Sequence, residues 1–432
     1  MHTIGYREQR KEEADLNQIR IEGFHRLNGE VRIQGSKNAA LPMMAAAVLC
    51  KGEVILHHCP DITDVHLMKE IIKGLGGKAF YKNHTMYLDC TKIERTTIPK
   101  KEAEKMRSSI VLMGSLLGRK KEVCIPWPGG CVIGKRPIDL HLSALEKMGA
   151  EFTEEDRGLK GKTEGLKGTR IVFPKISVGA TQNVILASVL AKGTTILENC
   201  ACEPEVQWLC RFLRKGGAKI KETKNRIIEI EGIESLHAVE YEVPPDRIVA
   251  GTYLCASAIT RSDICLAGAP KDEMKAILSL YQKMGGQYEW IGGKLSLCSQ
   301  EVNVPVLCQK TEVYPGFPTD MQSIFATLLT TAKGSSIIVE NIFENRYKYT
   351  QELIRMGAKI SVEGKTAIIK GVKKLYGANV KATDLRGGAA LVMAATTAKG
   401  ITKVENIDYI LRGYERFDKK LEKLGVKIQL KI

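Results

Sequence analysis

The 432-residue sequence predicts a two-domain α/β protein built from six copies of a β-α-β-α-β-β unit. Two patterns, each repeating about every 70 residues, indicate the six units. The chain is also too long for one ordinary hydrophobic core, which favours two domains. Six units divide evenly into two lobes of three.

The first pattern is a glycine between the end of a helix and the start of a strand, as in KMGAEF at 147–152. A glycine at this place can adopt the left-handed conformation that commonly ends a helix. The spacing therefore predicts six helix-to-strand junctions, at Gly76, Gly149, Gly216, Gly285, Gly357 and Gly425.

The second pattern is a helix rich in small residues, then a turn led by Lys or Arg and a β-branched strand. Examples are LPMMAAAVLCKGEVIL at 41–56 and AALVMAATTAKGITKV at 389–404. Small residues let helices approach closely, so we expect these six helices to pack inside the domains. More amphipathic helices, such as DVHLMKEIIKGLG at 64–76, are expected nearer the surface.

Polar or charged residues stand at the start of the six small-residue helices. Helix N-termini favour anions, because their free N–H groups and the helix dipole point outward. Two lobes that face each other would enclose a cleft lined by these residues, which are Lys37, Asn38, Arg107, Thr181, Arg247, Asp320 and Arg386.

The formal net charge of +16 is compatible with nucleic-acid binding or with an anion-binding cleft. Lys and Arg are spread along the whole chain, with no basic tail and no aromatic interleaving, which weakens the nucleic-acid alternative. The charge in excess of what a cleft needs is left unexplained by the sequence.

Location follows from what the sequence lacks. We expect no membrane span, because no long uninterrupted apolar stretch occurs. Residues 1–18 form a polar extension without the apolar core of a secretory signal. The 12 cysteines show no paired CxxC spacing, so we expect no metal site and a reducing cytoplasm.

One cysteine differs from the others. Cys131 lies in the glycine-rich segment WPGGCVIGKRPIDLH at 127–141, which is typical of a mobile lid. Lys135 and Arg136 would favour its thiolate form. Cys131 is therefore a candidate for the chemistry.

At this point the chain resembles the UDP-N-acetylglucosamine 1-carboxyvinyltransferases, a branch of the enolpyruvyl transferase family. The resemblance runs in family order from about residue 19 to the end. The shikimate-pathway branch, 3-phosphoshikimate 1-carboxyvinyltransferase, shares the six-unit architecture but lacks the Cys loop, and it is the alternative. The matching motifs are GSKNAALPMMAA (35–46), MRSSI (106–110), PGGCVIGKRPIDLH (128–141), SVGAT (177–181), EPE (203–205), PPDRI (244–248), FPTDMQ (317–322), IFENR (342–346), ATDLR (382–386) and RGYER (412–416).

The resemblance implies an inside-out α/β barrel fold with two domains. Residues 37–245 would form the domain with the Cys131 loop, and residues 1–36 with 246–432 the domain with the general base. The implied reaction moves the enolpyruvyl group of phosphoenolpyruvate onto the 3′-hydroxyl of UDP-N-acetylglucosamine and releases phosphate, without metal or cofactor. It would be the first committed step of peptidoglycan synthesis in the cytoplasm, and so would bear on cell wall biogenesis, cell shape and cell division.

The resemblance also assigns roles on the phosphoenolpyruvate side. Cys131 matches the general acid, also linked to product release, and the thiol that the epoxide antibiotic fosfomycin alkylates. Asp320 matches the general base, although N-capping of its helix is the plain alternative. The phosphate would contact Lys37, Arg136 and Arg412, and the carboxylate Arg346 and Arg386, with Asn38 beside them.

The remaining matched residues belong to the nucleotide sugar. Arg107 matches a residue near the diphosphate and the lid. His141 lies next to the loop and is expected to be a positioning residue rather than a proton carrier, and Asp384 is expected to pair with nearby arginines. Trp127 and the Gly387-Gly388 pair depart from the family pattern, and the glycines could loosen the helix start that aims Arg386. The UDP-N-acetylglucosamine contacts would be Arg107, Arg136, Pro137, Ile138, Asp139, Leu140, Lys175, Ser177, Val178, Gly179, Asp320 and Ile342.

Overall fold

The computed structural model describes residues 17–127, 138–156, 158–223 and 225–431. Cys131, Lys135, Arg136 and Pro137 lie outside the described residues. The chain divides into two compact units. The first contains residues 17–34 and 245–431, and the second contains 35–127 and 138–244. The divisions lie within two residues of the boundaries that the resemblance implies.

The strands are short, and most have a single buried face. They are β1 (Gln18–Glu22), β2 (Glu30–Arg32), β3 (Glu53–His57), β4 (Lys78–Lys82), β5 (Thr85–Asp89), β6 (Glu122–Pro126), β7 (Ala150–Glu155), β8 (Gly158–Thr163), β9 (Arg170–Val172), β10 (Thr194–Glu198), β11 (Lys219–Thr223), β12 (Ile227–Glu231), β13 (Val239–Glu242), β14 (Ile264–Ala267), β15 (Gln287–Ile291), β16 (Lys294–Cys298), β17 (Gln309–Lys310), β18 (Ser335–Val339), β19 (Lys359–Glu363), β20 (Thr366–Lys370), β21 (Asn379–Lys381), β22 (Ile401–Glu405) and β23 (Lys427–Lys431).

The helices alternate with these strands. They are α1 (Lys37–Ala47), α2 (Thr63–Gly74), α3 (Lys100–Lys105), α4 (Leu112–Lys120), α5 (Asp139–Lys147), α6 (Val178–Ser188), α7 (Pro204–Lys215), α8 (Arg247–Ile259), α9 (Lys275–Lys283), α10 (Gln322–Leu329), α11 (Tyr349–Arg355), α12 (Leu385–Thr397), α13 (Asp408–Leu411) and α14 (Phe417–Lys423), with 3₁₀ turns at Arg107–Val111, Asp272–Met274 and Thr319–Met321.

Six sheets form among the described residues, three in each unit. The sheet β11-β12-β10-β9 shows the repeat in unbroken order: β9 and β10 are parallel neighbours, and β12 lies between β10 and β11. Five sheets have four strands. The sheet β6-β8-β7 has three, and a single parallel bridge between Thr97 and Cys124 stands where its first strand would be. The predicted fold class is confirmed.

Three strands reach their sheets from a distant part of the chain. Strand β2 pairs in parallel with β14, and β13 pairs in parallel with β3, so each supplies the first strand of a β-α-β-α-β-β repeat. Strand β1 lies between β22 and β23 and completes the last sheet. Each compact unit therefore contains three repeats, even though the chain passes between the two compact units twice.

The small-residue helices lie inside, as predicted. Every residue of α8 and of α10 is buried, and α1 is buried from Ala39 to Ala47. Within one unit α8, α10 and α12 contact one another, and in the other α4 contacts both α1 and α6. The outer helices, such as α2, bury one face, here with Val65, Met68, Ile71 and Ile72. No helix of the described residues is long and apolar enough to span a membrane.

The helix-ending glycines follow the repeat with one exception. Gly76, Gly149, Gly285, Gly357 and Gly425 have φ between +90° and +101°. The prediction is wrong at Gly216, which has φ −80°, because α7 extends one residue further and Gly217 takes φ +98° instead. In the sequence KGGAKI, two adjacent glycines left this choice open.

Candidate functional site

Three side chains from different elements of the first unit form a charged cluster. Asp320 lies in the turn before α10, Arg346 shortly before α11, and Arg386 is the second residue of α12. The Nη2 atom of Arg346 is 3.1 Å from Asp320 Oδ1, and Nη2 of Arg386 is 3.3 Å from Oδ2. The Asp320 side chain is 29% exposed, whereas those of the arginines are 1% and 3% exposed. The Asp320 carboxylate is therefore partly exposed, whereas the two guanidinium groups that it contacts are buried.

These guanidinium groups have donors to spare. Nε of Arg346, and Nε and Nη1 of Arg386, are buried and find no acceptor among the described residues. Buried donors almost always have partners, and a guanidinium matches the geometry of carboxylate or phosphate oxygens. The cluster is thus suited to an anionic ligand.

The surroundings of Arg386 keep it charged. Burial alone would lower the pKa of Arg386, but Tyr414, Asp320 and Asp246 together raise that pKa above its ordinary value. The guanidinium carbon lies 5.4 Å from the centre of the Tyr414 ring. Arg386 is therefore a fixed positive charge over the whole physiological pH range.

The turn that carries Asp320 is anchored by a buried carboxylate. Oε2 of Glu340 accepts a hydrogen bond from Thr319 Oγ1 at 3.0 Å, and Oε1 accepts from the Ile342 and Phe343 N–H groups at 2.8 and 3.0 Å. Glu340 thus joins the Asp320 turn to the loop after β18. Pro318 and Met321 occupy the N-cap positions of the turn and of α10, and the Asp320 carboxylate between them contacts the two arginines.

Asp384 has a different role from the one expected. Its Oδ1 accepts the Arg386 and Gly387 N–H groups, each at 3.0 Å, so it caps α12. The expected pairing of Asp384 with arginine side chains is not among the hydrogen bonds of the described residues, because the carboxylate is turned toward the helix end. It holds the backbone of Arg386 instead.

The two unusual glycines after Arg386 do not loosen the helix. A Cβ atom on Gly387 would lie 2.7 Å from Asp384 Oδ2, and one on Gly388 would lie 2.8 Å from Ile410 Cγ1. Both positions are buried and leave no space for a side chain. The glycines therefore permit close packing around the start of α12.

Ile342 lies half-buried beside an open cavity of about 540 Å³ in the same unit. This places one residue predicted to contact the sugar at a concave surface next to the Asp320 turn. The cavity is lined by Thr311, Glu312, Val313, Pro315, Gly316, Asn341 and Ile342.

In the second unit, Lys37 is the first residue of α1 and its Nζ lies 3.3 Å from Asp64 Oδ2. The Lys37 side chain is 12% exposed, while that of Asp64 is fully buried. Breaking a buried pair leaves an uncompensated charge and typically costs about 3–5 kcal/mol. Asp64 therefore holds the ammonium at the start of α1, beside the half-buried Asn38.

His141 is buried in α5 and packed against the predicted diphosphate turn. Its Nδ1 is 2.8 Å from Nδ2 of Asn183, whose Oδ1 accepts the Gly114 N–H, so the amide nitrogen is the donor. The ring is then neutral, with its proton on Nε2. A Cβ atom on Gly179 would come within 3.2 Å of this ring. His141 thus fixes where the turn sits, as a positioning residue would.

Protonation of His141 is strongly disfavoured. Burial, followed by the charge of Arg107, lowers the pKa of His141 to about 4 from the ordinary 6.5, and Asp139 opposes this. Between these values the unfolded chain binds a proton that the folded chain does not. Stability is therefore complete above about pH 6.5 and falls as the pH drops toward 4, by up to about 3 kcal/mol from this residue.

The urea midpoint of unfolding, measured at pH 7 and pH 4.5, tests this effect. We expect His141→Gln, which can still accept from Asn183, to show a smaller difference between the two midpoints than the wild type. His237→Gln is the control, since that residue is exposed. An unchanged difference in His141→Gln would contradict the assignment.

The other predicted nucleotide residues lie at helix starts of the second unit. Ser177 caps α6 by accepting the Ala180 N–H at 3.3 Å, and the N–H groups of Val178 and Gly179 belong to the first turn, which has no intrahelical acceptors. Lys175 is exposed. At the start of α5, Asp139 is exposed and Ile138 and Leu140 are half-buried.

One helix-start residue does not suit a cleft lining. Thr181 lies in the first turn of α6 and is fully buried, and its Oγ1 accepts the Ala201 N–H at 3.1 Å. Arg247 is buried with its guanidinium 5.9 Å from the Tyr314 ring. The expectation for Thr181 is wrong, because its hydroxyl is used to join α6 to the segment before α7. Arg107 begins a 3₁₀ turn and Arg412 follows α13; both are half-buried.

Sequence reasoning missed three residues that hold candidate site residues in place. Asp64 contacts Lys37, Asn183 contacts His141, and Glu340 anchors the Asp320 turn. A signal was present, because Asn183 and Glu340 stand within apolar runs, and buried polar groups need hydrogen-bond partners. No group of three or more His, Cys, Asp and Glu residues in the described parts of the chain could hold a metal ion.

Comparison with known proteins finds similarity to enolpyruvyl transferases. The model of a family described as EPSP synthase (3-phosphoshikimate 1-carboxyvinyltransferase) matches residues 21–421. UDP-N-acetylglucosamine 1-carboxyvinyltransferase 2 of Caldanaerobacter subterraneus subsp. tengcongensis is 43% identical, over 96% of this chain and 99% of its own. The enzyme of the same name from Bacillus subtilis is 40% identical, over 96% of both chains.

Solved structures agree on the fold. The enolpyruvyl transferase NikO from Streptomyces tendae superposes with a TM-score of 0.86 at 24% identity, covering 95% of this chain and 98% of that one. EPSP synthase from Acinetobacter baumannii gives a TM-score of 0.73 at 17% identity, covering 96% of this chain and 100% of that one.

Proposed function

Because the chain belongs to the enolpyruvyl transferase (EPSP synthase) family, we propose that it transfers the enolpyruvyl group of phosphoenolpyruvate to the 3′-hydroxyl of UDP-N-acetylglucosamine and releases phosphate. The observation that carries the proposal is the Asp320 carboxylate between two buried arginines, three of whose N–H groups have no acceptor within the described part of the chain. One group there accepts a proton, and the others bind an anion. The step would open peptidoglycan synthesis in the cytoplasm.

The arginine pair supports a role on the carboxylate of phosphoenolpyruvate. Arg346 Nε and the Nε and Nη1 atoms of Arg386 supply three charge-assisted donors to a planar carboxylate. Because both side chains are buried, these bonds would form in a water-poor environment, where they are stronger. We assign the phosphate to Lys37, Arg136 and Arg412, three cations that offset its charge without a metal ion.

The addition step needs a base and an acid. In our proposal Asp320 takes the proton of the sugar 3′-hydroxyl as the hydroxyl oxygen bonds to C2 of phosphoenolpyruvate. Cys131 gives a proton to C3. The product is a tetrahedral ketal that still carries the phosphate. Loss of a proton from C3 then forms the new double bond as the C2–O bond to phosphate breaks.

The choice of acceptor rests on the relatives and on the nucleotide residues. The two relatives described above carry the UDP-N-acetylglucosamine name at 40–43% identity. The described part of the predicted diphosphate site offers first-turn N–H groups at Val178 and Gly179, positioned by Ser177 and His141. We infer that the acceptor's diphosphate binds there, and that the protein acts on small molecules rather than on nucleic acid.

The assay that tests the function is phosphate release from phosphoenolpyruvate. We expect release that depends on UDP-N-acetylglucosamine and is absent with shikimate 3-phosphate. Release with shikimate 3-phosphate alone would favour the alternative branch. No release with either acceptor would contradict the proposed function.

Fosfomycin tests the role of Cys131. We expect it to add its mass to Cys131 in the presence of UDP-N-acetylglucosamine, because its epoxide and phosphonate would mimic phosphoenolpyruvate beside a reactive thiol. Mass spectrometry of the peptide that contains residues 128–136 reads the result. Cys131→Asp is expected to keep turnover, since a carboxyl group can replace the acid, and to escape alkylation. An unmodified Cys131 in active enzyme would refute this assignment.

A further inference from the structure

The side chain of Gln34 holds the loop that follows Arg412. Gln34 is 4% exposed and stands just before the chain leaves the first unit. Its Nε2 donates to the Gly413 carbonyl oxygen at 3.1 Å, and its Oε1 accepts the Glu415 N–H at 2.8 Å. One amide group therefore fixes the backbone on both sides of Tyr414.

The backbone of Gln34 reaches a second part of the site. Its carbonyl oxygen accepts the Asp246 N–H at 2.9 Å. Asp246 in turn caps α8 through the Ile248 and Val249 N–H groups at 2.9 and 3.1 Å, and its charge acts on Arg386. Gln34 is thus hydrogen-bonded to the loop after Arg412 and to the backbone N–H of Asp246, the residue whose charge acts on Arg386.

The loop between these contacts matters for both arginines. Tyr414 is 1% exposed; its ring lies under the Arg386 guanidinium, and its hydroxyl oxygen is 2.9 Å from Thr252 Oγ1. Arg412 immediately precedes Gly413, whose carbonyl Gln34 binds. A shift of this short loop would therefore move Arg412 and the aromatic face beneath Arg386 together.

We propose that Gln34 is a positioning residue for phosphoenolpyruvate binding. It supports binding by fixing the loop at residues 412–415, which includes Arg412 and Tyr414. This inference rests on the proposed function, because it takes Arg412 to bind the phosphate of that substrate. A buried amide with both ends used is well suited to the task, since its two hydrogen bonds fix position and orientation at once.

Two substitutions separate the two hydrogen bonds. Gln34→Met has a similar shape and removes both, and Gln34→Glu keeps an acceptor for Glu415 N–H while losing the donor to Gly413. We expect the KM for phosphoenolpyruvate to rise about tenfold in Gln34→Met and at least as much in Gln34→Glu, because the buried carboxylate oxygen would face the Gly413 carbonyl oxygen. The KM for the UDP-sugar is expected to change less than about twofold, since most of its predicted contacts lie in the second unit.

A double-mutant cycle with Arg412→Lys tests whether Gln34 acts through Arg412. We expect the effects of Gln34→Met and Arg412→Lys on kcat/KM to be clearly non-additive, because both act on one contact. Gln18→Ala is the matched control: it removes another buried amide of the same unit, in β1, and is expected to leave the KM for phosphoenolpyruvate unchanged. Additive effects, or equal changes in both KM values, would overturn the proposal.

Hydrogen exchange of the intact protein gives a readout that needs no activity. The Glu415 amide is expected to exchange faster in Gln34→Met than in the wild type or in Gln18→Ala. Unchanged exchange at Glu415 would overturn the inference even if the enzyme is active. Wild-type protein without phosphate release would instead refute the proposed function and leave the exchange result standing.

Discussion

Asp320→Asn is expected to lower kcat by about a thousandfold, within the range that general base catalysis contributes. Asparagine keeps the size and hydrogen-bonding shape of aspartate but cannot take the proton of the sugar hydroxyl. The variant should still bind phosphoenolpyruvate, because the Arg346 and Arg386 donors with no partner among the described residues remain in place. Steady-state phosphate release with varied phosphoenolpyruvate separates kcat from KM.

The matched control for Asp320 is Asp263→Asn. Asp263 belongs to the same unit, and its carboxylate accepts the Ser299 N–H and the Gln300 amide, outside the candidate site. This variant is expected to lose some stability and to keep kcat within about twofold of wild type. If Asp320→Asn retained more than about a tenth of wild-type kcat, Asp320 would not be the base.

Arg386→Lys is expected to raise the KM for phosphoenolpyruvate by about a hundredfold. Lysine keeps the charge but loses the planar fork, and with it about two charge-assisted hydrogen bonds to the substrate carboxylate. At about 1.5 kcal/mol each, these correspond to the stated change. The ammonium should also lose the stacking on the Tyr414 ring that the guanidinium makes.

Arg261→Lys is the control for this substitution. Arg261 follows the C-terminal end of α8 and donates to the Thr331 carbonyl, whereas Arg386 faces Asp246 at the opposite end of that helix. We expect the KM for phosphoenolpyruvate to be unchanged in Arg261→Lys. A similar KM in the wild type and Arg386→Lys would show that the carboxylate binds elsewhere.

The architecture could be predicted because the repeat is visible in the residues. Glycines after helices and small residues within helices are local features, and the six sheets and the buried helices follow them. The period alone could not predict that β1, β2 and β13 pair with strands from distant parts of the chain. Strand pairing over such separations depends on tertiary closure, which leaves no local signal.

In the candidate site too, some residues could be predicted from the sequence and others could not. Asp320, Arg346 and Arg386 could be named from motifs, and the structure brings them into one cluster. Their supports could not be named, because Glu340, Asp384 and Gln34 act through backbone groups whose positions depend on the fold. The Cys131 loop lies outside the described residues, and its role stays a prediction.

The placement of β1 has a consequence for how the protein is made. Ile19 lies opposite Val404 and Leu430, so the strand is synthesised long before its partners. At a ribosomal rate of about 5–20 residues per second, it waits roughly 20 to 80 seconds. The unit in the middle of the chain receives its last strand, β13, by residue 242 and matures first. We therefore expect β1 to join the unit that folds later, and Ile19 and Ile21, which are buried in the folded unit, to lack their partner strands until then.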